Sequence, residues 1–155
     1  MTSYRSTLQG REQIAHGTMA FHFVKPIGFT FRSGQAIDVV LADAPTVDAR
    51  SGRHTFSIVS APFENELTIA TRMRDSTFKR ALGRLPVGSL IEIEGPFGSL
   101  TLHNDLARAA VFIAGGIGIT PFMSILPQAT HDQLRQRLVL VYSNRRPEDT
   151  AFLAE

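Results

Sequence analysis

Cysteine and tryptophan are absent from the 155 residues, and only two of the 16 basic side chains, Lys25 and Lys79, are lysines. Without cysteine these residues hold no disulfide framework, thiolate metal site or cysteine-held iron–sulfur cluster, so redox chemistry here requires a bound organic cofactor. No apolar run approaches the roughly 20 residues of a membrane-spanning helix. The polar start, with Arg5 and Arg11, lacks the apolar segment of a secretory signal. A cytoplasmic location, with no membrane contact in this chain, is the expectation. Basic and acidic side chains nearly balance, and the formal charge of +2 is too small and too dispersed to indicate a nucleic-acid partner. His16, His22, His103 and His131 are scattered without the close pairing of a zinc site, and no G-x-S-x-G nucleophile elbow occurs.

With 43% apolar residues and both charge signs mixed, the chain has the composition of a folded globular protein. Its first two thirds alternate short strand-like runs with turn residues, the pattern of an antiparallel barrel or sandwich. Strands are expected at residues 4–9, 19–24, 36–41, 55–59, 66–71 and 90–94, with breaks that include 26–28, 43–45, 86–88 and 95–98. Residues 75–82 depart from that rhythm: Phe78 and Leu82 are four apart, behind a capping residue, as in a short helix that plugs a barrel end.

After Asn104 the pattern changes. The apolar run 109–114 suits a strand buried on both faces, and Gly115-Gly116-Ile117-Gly118 leads from it into a helix expected to reach about residue 126. A second buried strand at 137–142 precedes a helix start at Pro147, with Glu148 and Asp149 in its first turn. This opens a βαβ unit. A doubly wound domain takes on the order of 100 residues, so the second unit is expected to be cut short.

Two segments carry chemistry. The glycine turn lies where a buried strand meets a helix, so its N–H groups and the helix dipole suit a phosphate, although its spacing is not G-x-G-x-x-G and a purely structural turn reads the same. The run His54-Thr55-Phe56-Ser57-Ile58-Val59-Ser60 sets an aromatic ring beside a hydroxyl and backbone donors, which suits a planar heteroaromatic ligand. An ordinary strand with Phe56 in the core is the alternative.

Together with Glu94-Gly95-Pro96-Phe97-Gly98, these segments resemble, in order and interval, the ferredoxin–NADP reductase family, in which a flavin-binding barrel precedes a pyridine-nucleotide domain. The likeness runs over almost the whole chain. The family's R-x-Y-S-x-x-S flavin motif falls on His54, Phe56, Ser57 and Ser60, and the form His-x-Phe-Ser looks like the variant in ferric-reductase and NADPH-oxidase-type flavin domains. The resemblance implies that Phe56 stacks on the isoalloxazine, that Ser57 lies near its reactive N5, and that Thr55 and the backbone of Ile58 and Val59 contribute to the same site. A histidine in the arginine place makes the charge there conditional on pH. Arg74, Ser76 and Thr77, at the start of the capping helix, would receive the FAD pyrophosphate, with Asp75 the discordant neighbour. Gly115, Gly116, Gly118, Thr120 and Pro121 would lie on the nicotinamide side. Ser143, Asn144, Arg145 and Arg146 fall near the place that selects NADH or NADPH, although a solvated loop is the preferred reading of them.

The resulting expectation is an antiparallel six-stranded β-barrel with one capping helix over residues 1–104. A partial α/β parallel-sheet nucleotide-binding domain follows over residues 105–155. The implied cofactors are FAD, with NADH or NADPH as hydride donor, and the implied partner is an unidentified electron-acceptor protein or domain. Alternatives are a truncated FAD-binding module without reductase activity and the soluble part of a ferric-reductase-like membrane protein.

Overall fold

A computed structural model describes residues 2–41 and 52–153; the turn expected at 43–45 lies outside them. Six strands form one antiparallel sheet: β1 (Ser3–Ala15), β2 (Thr18–Val24), β3 (Ala36–Val40), β4 (Arg53–Ser57), β5 (Glu66–Arg72) and β6 (Leu90–Phe97), in spatial order β4-β3-β6-β1-β2-β5. A bridge between Ile58 and Ile69 joins the two edges and closes the barrel. Alternation puts Leu8, Phe21, Phe23, Ile37, Val39, Leu67, Ile69 and Ile93 inside, where each is fully buried.

β1 is longer than its apolar pattern suggests. Its first half pairs with β6 and its second with β2, with an irregularity near Gln9, where the strand passes from one neighbour to the other, and another near Ile14 within the β2 pairing. The polar residues 10–13 show no inward alternation, yet backbone pairing alone keeps them extended. β6 likewise continues through Pro96 to Phe97, which pairs with Ala36.

Helix α1 (Thr77–Arg84) closes one barrel end with Phe78 and Leu82 buried, as their spacing requires. Its N-cap is Ser76, whose hydroxyl oxygen accepts from the Lys79 N–H at 3.2 Å. Asp75 stands outside the helix and pairs with Arg80.

Beyond the barrel, β7 (Ala110–Gly115) and β8 (Leu138–Ser143) pair in parallel. Between them come a 3-10 turn over Gly116–Ile119 and helix α2 (Thr120–His131), which continues past Pro127. Phe112, Leu140 and Tyr142 pack on Phe122 and Ile125 of α2. Burial on both faces is corrected here: Val111 and Ile113 are 61% and 78% exposed, because no described element covers that face of the strand pair. The expected helix at Pro147 is a 3-10 turn over Pro147–Asp149.

The α/β unit is fastened to the barrel at three places. Ser124 of α2, fully buried, donates to the Ser60 carbonyl at 2.8 Å. Phe63 stacks on His131 with ring centroids 4.2 Å apart. The His16 N–H donates to the Glu148 carbonyl at 2.8 Å. Gly34 makes close approach possible at the same seam: its φ is +92°, and a Cβ there would stand 2.0 Å from the Leu100 carbonyl oxygen and 2.9 Å from Ile125. Gly34→Ala therefore combines backbone strain with a clash against main chain, and should cost about 2–4 kcal/mol. A lowered urea midpoint at unchanged slope is the expected readout.

Candidate functional site

The C-terminal ends of parallel strands are where α/β sheets receive ligands, because helix N-termini and strand-end loops converge there. In this chain that end faces the last turn of β5. The two enclose a cleft of about 420 Å³, with Arg72 and Arg74 on the barrel side and Gly115, Gly116, Asn144 and Arg145 on the other. Arg72 and Arg74 share a wall because they are two residues apart at a strand end. Gly116, at φ +54°, and Gly115 have open space where a Cβ would project, so a ligand can approach their backbone closely.

Positive charge crowds this wall. Lys79 Nζ donates to the Arg72 carbonyl at 2.7 Å. Burial, and then the neighbouring Arg74 guanidinium, push its pKa below the usual lysine value. Among the described residues Asp149 is the single acid lining the cleft, and it is tied to Arg72 at 3.0 Å. Asn144 Oδ1 is buried without a hydrogen-bond partner among the described residues. Three arginines and exposed glycine backbone make a donor set for a diphosphate, and the Asn144 oxygen is an acceptor beside it.

The flavin-motif residues are distributed less simply. His54 is exposed and lies flat on Phe56, ring centroids 4.7 Å apart, and beside Phe78 of α1. Phe56 itself is only 6% exposed and belongs to the core, and the ring presented outward from this strand is that of His54. Thr55 points to the opposite side of the strand and donates its hydroxyl to Asp38. The Ile58 N–H donates to Gln35 and the Val59 N–H to Thr68, at 3.0 and 2.8 Å, so barrel closure consumes the donors expected to face a ring edge. Ser57 is half-buried, and its hydroxyl makes no hydrogen bond among the described residues. Ser60, the last serine of the motif, is a structural anchor: besides receiving Ser124, its hydroxyl oxygen accepts from the Thr68 N–H.

At the helix start, Arg74 lines the cleft, Ser76 retains a hydroxyl hydrogen to donate, and Thr77 Oγ1 accepts from Arg80 at 3.4 Å. Gly118 is exposed beside the cleft, but Thr120 and Pro121 are buried. The Thr120 hydroxyl donates to the Ile117 carbonyl at 3.1 Å, within its own turn. The sequence reading missed Thr18, Arg72 and Asp149. Arg72 was detectable as one half of an R-x-R pair at a strand end, whereas nothing local marks Asp149.

Known proteins resemble this chain in sequence and in fold. The oxidoreductase NAD-binding domain family matches residues 112–155. Over 119 residues the chain is 29% identical to the reductase component 2 of terephthalate 1,2-dioxygenase from Comamonas sp., covering 76% of this chain and 33% of that protein. It is 30% identical over 123 residues to dual oxidase 1 from Homo sapiens, covering 74% of this chain and 8% of that protein. The solved structure of phthalate dioxygenase reductase superposes with a TM-score of 0.81 at 25% identity, across 98% of this chain and 47% of that one. The chain is ferredoxin–NADP reductase-like. It spans less than half the length of each of these relatives.

Because Lys79 adds to the field at the cleft, affinity for a nucleoside diphosphate should fall about twofold to threefold as pH rises through its lowered pKa, since deprotonation removes a positive charge while the arginines stay charged. Calorimetric titrations from neutral pH up through the ordinary lysine range test this, and Lys79→Met should flatten the profile.

Proposed function

We propose that this chain binds FAD against the barrel and NADH or NADPH at the glycine turn, and serves a flavin-dependent oxidoreductase that delivers electrons to an acceptor protein or domain. The observation that carries the reading is the cationic cleft built jointly by the end of β5 and the glycine turn, one wall from each unit. It is supported by the reductase relatives, among which phthalate dioxygenase reductase is described as transferring electrons from pyridine nucleotides to a [2Fe-2S] group.

Under this reading the domains are 1–104 and 105–155, and the location is cytoplasmic. Among the described residues no helix is long and apolar enough to cross a membrane. His54 offers the outer face of its ring to the flavin, and Ser57, at the end of the same strand, carries a hydroxyl with no hydrogen bond among the described residues. Arg74 and the hydroxyl hydrogen of Ser76 meet the FAD pyrophosphate at the start of α1, where helix N–H groups add to the attraction. Gly115, Gly116 and Gly118 admit the nicotinamide nucleotide close to the backbone. Asn144 Oδ1 accepts from a ribose hydroxyl, and Arg145 neutralises phosphate. A bound flavin supplies the exchange between two-electron and one-electron chemistry, and the protein's part is binding, orientation and charge. None of the residues described has to act as a general acid or base.

A second reading, the soluble part of a ferric-reductase-like protein, is favoured by the match to dual oxidase 1. It shares the cofactor chemistry and differs in the acceptor.

The test is a visible spectrum of the purified chain with added FAD, followed by anaerobic NADH or NADPH. Flavin bands that bleach with one nucleotide are expected. Retained bands without bleaching would leave a flavin-binding module, and failure to bind FAD at all would overturn the assignment. His54→Ala should weaken FAD about tenfold through loss of the exposed ring, and Arg74→Gln by a similar factor through loss of a charge-assisted contact. Fluorescence titration reads both.

A further inference from the structure

Asp149 is the one feature of the cleft that works against an anionic ligand. Its carboxylate is held in the wall, 12% exposed, and accepts from Arg72 Nη2 at 3.0 Å, while the Arg72 side chain is 41% exposed. The ion pair is not the sole tie on the turn that carries Asp149. The His16 N–H to Glu148 carbonyl bond at 2.8 Å and the Asp149 N–H to Arg146 carbonyl bond at 3.1 Å already hold it by main chain. His16 Nδ1, on an exposed side chain 3.9 Å away, is the other titratable group facing the carboxylate. A pair with so exposed an arginine contributes little to stability. Its larger effect is on the potential of the cleft, where three arginines meet one acid.

We propose that Asp149 is a built-in counter-anion of the nucleotide cleft, competing with ligand phosphate for Arg72, so that nucleotide binding proceeds by exchange of one anion for another. The inference rests on the function proposed above and concerns how that site is regulated. While the cleft is empty Arg72 is neutralised and stays in place. When a diphosphate enters, Arg72 turns to it, Asp149 loses its partner, and the 147–149 turn keeps only its main-chain ties. The exchange holds affinity below what three unopposed arginines would give, which favours release of the spent nucleotide.

Inorganic pyrophosphate is the probe, because it tests the cleft without assuming a nucleotide. Asp149→Asn keeps the shape and one acceptor oxygen but removes the charge, and should tighten pyrophosphate about threefold to tenfold at low ionic strength, with a steeper loss on adding salt. In an Arg72→Gln background the same change should gain less, because there is no guanidinium left to compete for. Unchanged or weaker binding by Asp149→Asn would overturn the proposal, as would weaker binding together with a lowered melting temperature, which marks a scaffold. A measurement on the unaltered protein stands beside these: saturating pyrophosphate should speed amide exchange at Asp149 and Thr150, and slower or unchanged exchange would also overturn it. NADH and NADPH in parallel separate the two readings. If pyrophosphate behaves as expected while both nucleotides fail to bind, the nucleotide assignment falls and the counter-anion remains.

Discussion

The cleft depends on one buried hydrogen bond. Ser124, without solvent access, gives its hydroxyl hydrogen to the carbonyl of Ser60, and so fixes α2 against the strand that carries the flavin motif. A main-chain carbonyl buried at such a seam requires a partner, because leaving it unpaired costs the desolvation of the group. The glycine turn precedes α2 directly, so anchoring the helix also places Gly115 and Gly116 opposite the end of β5. Gly34, between the Leu100 carbonyl and Ile125, lets the two surfaces meet at that distance.

With the walls in place, electrostatics defines what the cleft accepts. Arg72, Arg74 and Lys79 converge at the end of β5, and the lowered pKa of Lys79 is the response of an ammonium group to burial and to a cationic neighbour. Arg145 faces them from the loop after β8, and Asp149 offsets part of the sum. The arrangement favours a diphosphate and is poorly suited to a neutral or cationic ligand.

Much of the fold was legible in local patterns. The spacing of Phe78 and Leu82 identified the plugging helix, and the glycine turn after an apolar run marked the start of the parallel strands. The misreadings have separate causes. β1 runs on through polar residues because two neighbours supply its pairing, which no alternation records. Ser76 caps the helix, which leaves the Asp75 carboxylate to Arg80. The pattern around Phe56 suits either a core residue or a stacking platform, and the barrel buries it beneath the exposed ring of His54.

By itself the sequence determined the order of elements, the cofactor-like motifs and the lack of any cysteine chemistry, because these follow from residue type and short-range spacing. Tertiary structure alone decided which groups are free. It committed the N–H groups of Ile58 and Val59 and the hydroxyls of Thr55 and Thr120 to internal partners. It also joined Arg72 to Asp149 across 77 residues of chain. Availability of a donor or a charge depends on what else in the fold competes for it, and those competitors come from positions that no local pattern connects.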